Sequence, residues 1–291
     1  MTEPRPKLID RRAFLAVLAG ATGFGAAAWS LSRGSVPVVG LAGSDATLSG
    51  LPALTTTTVE SVRRTPIFVE DGATAVSGSF SETIEALCRD AWGARPIDGE
   101  LTTHVPVRMT VHHTASVLSS DAAAPGYVRD HQAFHQLEKG WPDIAYHFVI
   151  DSAGVVYEGR PVGAVGDTGT DYDPTGHFLV ACEGNFSRHD VPDAQRAALI
   201  DLMAWAATTY EIDPATLTGH RDWVPTACPG TAMYELVADG SLEASIRDRV
   251  RGGGVGIDVK CGPSASAFVA AIEAGAEPPV IDRSATATRI E

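Results

Sequence analysis

Residues 81–250 predict a single α/β domain, on three observations: strand-like and helix-like stretches alternate, residues 107–113 and 177–182 are rich in β-branched and apolar residues, and residues 193–210 repeat at helical spacing. A chain of 291 residues accommodates one such domain with extensions, or two small ones.

The elements follow in chain order. Arg5, Lys7, Arg11 and Arg12 precede an uncharged run, residues 13–32, that passes through Ala26-Ala27-Ala28, a small-residue stretch of the kind signal peptidases cut. Residues 1–28 therefore read as a targeting segment. Asp10-Arg11-Arg12-Ala13-Phe14-Leu15 resembles the twin-arginine signal that exports folded proteins, so the body is expected in the cell envelope or outside the cell. The other reading is an uncleaved anchor, since about 20 uncharged residues just span a bilayer. In that case the membrane is touched through this segment alone. Residues 29–80 are more than half Ser, Thr, Gly, Pro and Ala with no helical period, which reads as a flexible linker. Residues 66–69 could pack on the domain as an edge strand.

Within 81–250, strands are expected at 107–113, 145–150, 155–158 and 177–182. Residues 127–137 form a candidate helix. Residues 193–210 form a stronger one, with an acidic first turn and Leu199, Met203 and Ala206 on one face. One last helix is expected from 231 to about 250. Beyond Gly252-Gly253-Gly254, residues 251–291 read as an extension without an assignable role, with one short helix at 265–274.

Composition narrows the class. Hydrophobic residues make up 44% and charged residues 20%, which fits a globular body rather than a coiled coil or a polytopic membrane protein. The net charge is −14, and it becomes −16 once residues 1–28 remove four basic and two acidic groups. With no basic run to neutralise successive phosphates, nucleic acid is excluded as a partner.

Nine histidines and four cysteines carry the candidate chemistry. His112 and His113 close a strand, where neighbours point to opposite faces, so one of the two can face a given site. His131 and His135 are four apart on a helix, a spacing that can present two imidazoles to a metal, but Gln132 stands where an HExxH motif needs glutamate. They read as a packed or solvated helix face. In Gly219-His220-Arg221-Asp222-Trp223-Val224-Pro225-Thr226-Ala227-Cys228-Pro229-Gly230, a histidine and a thiol eight residues apart can fold back on one ion. Zinc takes both donor types, and a catalytic site keeps three protein ligands and one open position. His112 or His113 would supply the third. Two alternatives stay open for Cys228: one half of a disulfide, or a nucleophile paired with His220 and oriented by Asn185.

Trp92-Gly93-Ala94-Arg95-Pro96, Val111-His112-His113-Thr114-Ala115, residues 140–150 (GWPDIAYHFVI) and the His220–Gly230 loop occur in order and spacing that resemble the peptidoglycan recognition proteins and the type 2 N-acetylmuramoyl-L-alanine amidases, over about residues 88–240. The resemblance implies a central mixed β-sheet flanked by helices, with a zinc-bearing groove above it. It implies His112, His220 and Cys228 as zinc ligands, and Tyr146 as the tyrosine beside the activated water. Thr226 stands where phage enzymes carry lysine and catalytic recognition proteins threonine. Thr114 and His135 match positions lining the substrate groove. The implied reaction is hydrolysis of the amide between the lactyl group of N-acetylmuramic acid and L-alanine, in peptidoglycan or muropeptides. Two other readings are a non-catalytic binding module of this fold and a Cys/His hydrolase. For Tyr146, strand alternation alone places the ring with Phe148 and Ile150 in the core. If Cys228 holds zinc, Cys88, Cys182 and Cys261 remain, and Cys88 with Cys261 is the more accessible pair, Cys182 being buried in a strand.

Overall fold

The computed structural model describes residues 82–277. The targeting segment, the linker with its edge strand at 66–69, and the tail beyond 277 lie outside the described residues. Seven strands form one mixed sheet: β1 (Thr83–Leu87), β2 (Arg108–His113), β3 (Phe148–Ile150), β4 (Val156–Glu158), β5 (His177–Cys182), β6 (Thr218–Gly219) and β7 (Gly256–Lys260), in the order β6-β2-β5-β3-β4-β1-β7. β6, β2, β5 and β3 run parallel; β4 turns back antiparallel to β3 and is followed in parallel by β1 and β7.

Among the described residues, five α-helices cover the two faces: α1 (Ala124–Leu137), α2 (Asp193–Thr209), α3 (Thr231–Ala238), α4 (Ser241–Arg251) and α5 (Pro263–Glu273). Strand alternation divides the core accordingly. Met109, Val111, Phe148, Ile150, Phe178 and Val180 face α2, whose Leu199, Leu202 and Met203 are fully buried between the sheet and Ile246 of α4. The opposite face packs Val149 and Tyr157 against Val128 of α1 and Val269 of α5. This second face carries the site. No helix among the described residues is long and apolar enough to cross a membrane.

The mixed sheet flanked by helices agrees with expectation, and the strand at 177–182 matches residue for residue. Two elements differ. The helix expected over 231–250 is two, because Gly240 at φ 76° takes a left-handed turn between α3 and α4. Strands β1 and β7 were not expected at all.

Residues 256–273, which had no assignable role, complete the sheet edge and cover α1. Cys88, just past β1, is bonded to Cys261, just past β7, while Cys182 is buried and free. Such a bridge restricts the unfolded chain over a separation of 173 residues. Replacing both cysteines with alanine is expected to cost about 2–5 kcal/mol of stability. A urea midpoint unchanged by the double substitution would show that the bridge contributes nothing.

Candidate metal centre

β2 ends in His112 and His113, and alternation separates them. His113 turns to the α2 face beside Phe186, with ring centroids 6.1 Å apart. His112 faces the other side, and its ring lies 4.7 Å from that of His220. His220 starts a short 3-10 turn straight after β6, the strand that pairs with β2, so the sheet itself brings the two imidazoles together.

The third donor arrives by a loop that folds back. Arg221 closes it: its backbone N–H donates to the Cys228 carbonyl at 3.1 Å, and its guanidinium donates to the Ala227 carbonyl at 2.7 Å. Asp222 accepts from the Gly219 N–H and from the Tyr234 hydroxyl, tying the loop to α3. Gly230 ends it at φ 91°, where a Cβ would sit 2.6 Å from the Phe186 backbone. As a result the donor atoms of His112, His220 and Cys228 all lie within 4.8 Å of one another.

The spacing suits zinc. Sulfur at about 2.3 Å and nitrogen at about 2.0–2.1 Å from one tetrahedral ion stand about 3.5 Å apart. Cys228 Sγ is 3.7 Å from His112 Nδ1. Burial pushes the Cys228 thiol up to about 12, against the opposing pull of the His113 N–H, which donates to Sγ at 3.3 Å, and of Arg221. Burial also lowers His112 and His220, which keeps both imidazoles in the neutral form that a metal needs.

Tyr146 lies beside this cluster, its ring centroid 5.2 Å from His112 and 5.8 Å from His135. Alternation assigned it a core position with Phe148 and Ile150, but it packs instead against the opposite core cluster, that of Ile144 and Val149. β3 begins only at Phe148, and residues 145–147 are bent, so Tyr146 escapes the period of the strand. Two buried groups hold that bend. Asp143 takes a two-pronged ion pair from Arg89, at 2.8 and 3.1 Å, and a hydrogen bond from Gln132 at 2.7 Å. Arg160 donates to the carbonyls of Asp143 and Ile144, and also to the Val165 carbonyl and the Asp167 carboxylate across the next loop. Its own N–H donates to the Tyr146 carbonyl at 2.9 Å. Burial, then Cys228, raises the Tyr146 phenol well above its ordinary value, so it remains a proton donor at neutral pH.

The other expected residues take distinct places. His135 is buried between Trp141 and Tyr146; its Nδ1 accepts from the Ala145 N–H at 3.2 Å, and burial lowers its pKa to about 3. The neutral ring therefore carries its proton on Nε2. His131 turns elsewhere, to the buried Glu183 carboxylate at 3.1 Å, so the two helical histidines do not converge. Thr114 donates to the same carboxylate at 2.9 Å. Thr226 accepts the Cys228 N–H at 3.2 Å and shapes the turn that presents the thiol. Asn185 stays in its own turn, accepting from Ser187.

Three contributors were not foreseen: Glu183, Thr170 and Tyr172. Continued past Cys182, the alternation of β5 puts Glu183 on the face of His112, a signal present in the sequence. Thr170 and Tyr172 sit in the loop between β4 and β5, where no period exists to read.

Together the fold and donor set define a mixed α/β domain with a candidate metal centre at the end of its second strand. A profile described as N-acetylmuramoyl-L-alanine amidase matches residues 103–231. Peptidoglycan recognition protein 1 of Bos indicus is 33% identical over 165 residues, spanning 55% of this chain and 86% of that protein. An N-acetylmuramoyl-L-alanine amidase of Sus scrofa is 34% identical over 182 residues, 57% of this chain but 29% of the relative. Among solved structures, Drosophila peptidoglycan recognition protein SD superposes with a TM-score of 0.50 at 28% identity, over 54% of this chain and 94% of that one. The chain belongs to the family of peptidoglycan recognition proteins and N-acetylmuramoyl-L-alanine amidases.

Proposed function

We propose that the protein is a zinc-dependent N-acetylmuramoyl-L-alanine amidase that hydrolyses the lactyl–L-alanine amide of peptidoglycan or of muropeptides. The observation that carries this reading is the convergence of His112, His220 and Cys228 within 4.8 Å, with the Tyr146 ring against His112. His112, His220 and Cys228 would hold the ion. When bound, zinc supplies a Lewis acid that polarises the scissile carbonyl and activates water for attack. Tyr146, kept protonated by burial, donates a hydrogen bond to the charge that develops on the carbonyl oxygen. Thr226 holds Cys228 in position through its backbone contact, and its hydroxyl hydrogen is left to orient the attacking water. Thr114 and the Nε2–H of His135 line the groove for the stem peptide.

A cysteine hydrolase is the weaker reading. Its nucleophilic pair needs a third group to orient it, and Asn185 instead stays in its own turn, accepting from Ser187. The Cys88–Cys261 bridge supports an oxidising compartment, and hence export to the envelope or beyond. Protein recovered from its native compartment with both thiols free would overturn that placement.

The test is mass analysis of muropeptides incubated with the purified protein, with and without a zinc chelator. Release of free stem peptide that stops on chelation is expected. Bound peptidoglycan without release would identify a binding module, and release that survives chelation would restore the thiol mechanism.

A further inference from the structure

The loop between β4 and β5 contains Thr168-Gly169-Thr170-Asp171-Tyr172, and its hydroxyls form a chain that ends on His220. Thr168 Oγ1 donates to the Thr170 carbonyl at 2.9 Å and accepts the Thr170 N–H at 3.1 Å. It also lies 2.9 Å from Thr170 Oγ1. A hydroxyl has one hydrogen and two lone pairs. The hydrogen of Thr168 is committed to the carbonyl, so Thr170 must be the donor in the hydroxyl pair. Thr170 Oγ1 is then left with lone pairs only for its other contact, His220 Nε2 at 2.8 Å. That contact is satisfied when Nε2 carries the proton, which leaves the lone pair of the ring on Nδ1.

His112 is held in the same sense by the same loop. Its Nδ1 is the atom beside Cys228 Sγ, and its Nε2 lies 3.5 Å from the Tyr172 hydroxyl, which can accept from it. The Tyr172 ring also packs against His220, at 5.1 Å between centroids. One loop thus contacts Nε2 of both imidazoles.

From this we propose that Thr170, backed by Thr168, is a positioning residue: it fixes the tautomer of His220 and so prepares Nδ1 as a metal donor before any ion arrives, with Tyr172 acting likewise on His112. The affinity consequence rests on the zinc reading above, whereas the tautomer consequence does not. Partners outside the first ligand sphere of a metal are typically worth about 10–100-fold in affinity.

The experiment compares wild type with Thr170→Val, which keeps the shape and loses the hydroxyl, and Thr170→Ser, which keeps the hydroxyl. Zinc dissociation constants come from competition with a chromophoric chelator, and histidine tautomers from nitrogen-15 spectra of the metal-free chain. Thr170→Val is expected to bind zinc about 10–100-fold more weakly and to show mixed tautomers at His220, with Thr170→Ser recovering most of the affinity. Should Thr170→Val not fold, Thr168→Val serves instead: it frees the Thr170 hydroxyl to donate towards His220 and so admits the Nδ1–H form. A wild-type His220 protonated on Nδ1, or equal zinc affinity in wild type and the variant that folds, would overturn the proposal. Wild type that takes up no zinc would defeat the amidase reading while the spectra still decide the tautomer.

Discussion

Cys228→Ser is expected to abolish zinc retention and stem-peptide release together while leaving peptidoglycan binding in place. A serine hydroxyl is a far poorer zinc ligand than a thiolate, and a structure with two remaining imidazoles holds the ion weakly. The fold should tolerate the change. Cys228 sits at the end of a loop that Arg221 and Asp222 close through contacts of their own, and Ser is close to Cys in size. Metal analysis, a pull-down on insoluble peptidoglycan and muropeptide release would be read on one preparation. Full release by the serine variant would sink the zinc mechanism.

Tyr146→Phe should fail differently, with zinc and binding retained and turnover down by about 10²–10³-fold, equivalent to roughly 2.7–4 kcal/mol of barrier, by analogy with removal of one oxyanion donor. The ring keeps its packing against His112 and His135, so only the hydrogen-bond donor is lost. A drop in substrate affinity with an unchanged maximal rate would assign Tyr146 to the groove wall instead. The contrast between the two variants separates holding the metal from using it.

Much of this was legible in the sequence, and the gaps have physical causes. The strand at 177–182 reads clearly because it is central and buried on both faces, which demands an apolar run, and the one at 108–113 reads from Met109, Thr110 and Val111. β1 reads Thr-Ile-Glu-Ala-Leu and β7 Gly-Ile-Asp-Val-Lys: short segments with charged positions, β7 at the sheet edge and β1 beside it, defined by pairing with each other across the chain rather than by local pattern. Asp239-Gly240 is the local signal for the helix break at Gly240. At the site, the spacing of His220 and Cys228 suggested a shared ion, and family resemblance chose His112 over its neighbour. Alternation misplaced Tyr146 because it assumed a strand three residues longer than β3. Thr170 and Tyr172 belong to an irregular loop that Arg160 holds only at its start, through Val165 and Asp167, contacts that leave no period in the sequence.

Arg160 has a wider consequence. One buried guanidinium fastens the bend that aims Tyr146 and, through Val165 and Asp167, the start of the loop that aims His220. The two are therefore mechanically one part. A lysine there could not reproduce the planar fork that serves these acceptors, so slack introduced on one side would be felt on the other. Substitutions in the bend and in the loop should accordingly combine non-additively, although no side chain of one need touch the other. The Tyr146 bend and the loop beside His220 would loosen as a unit.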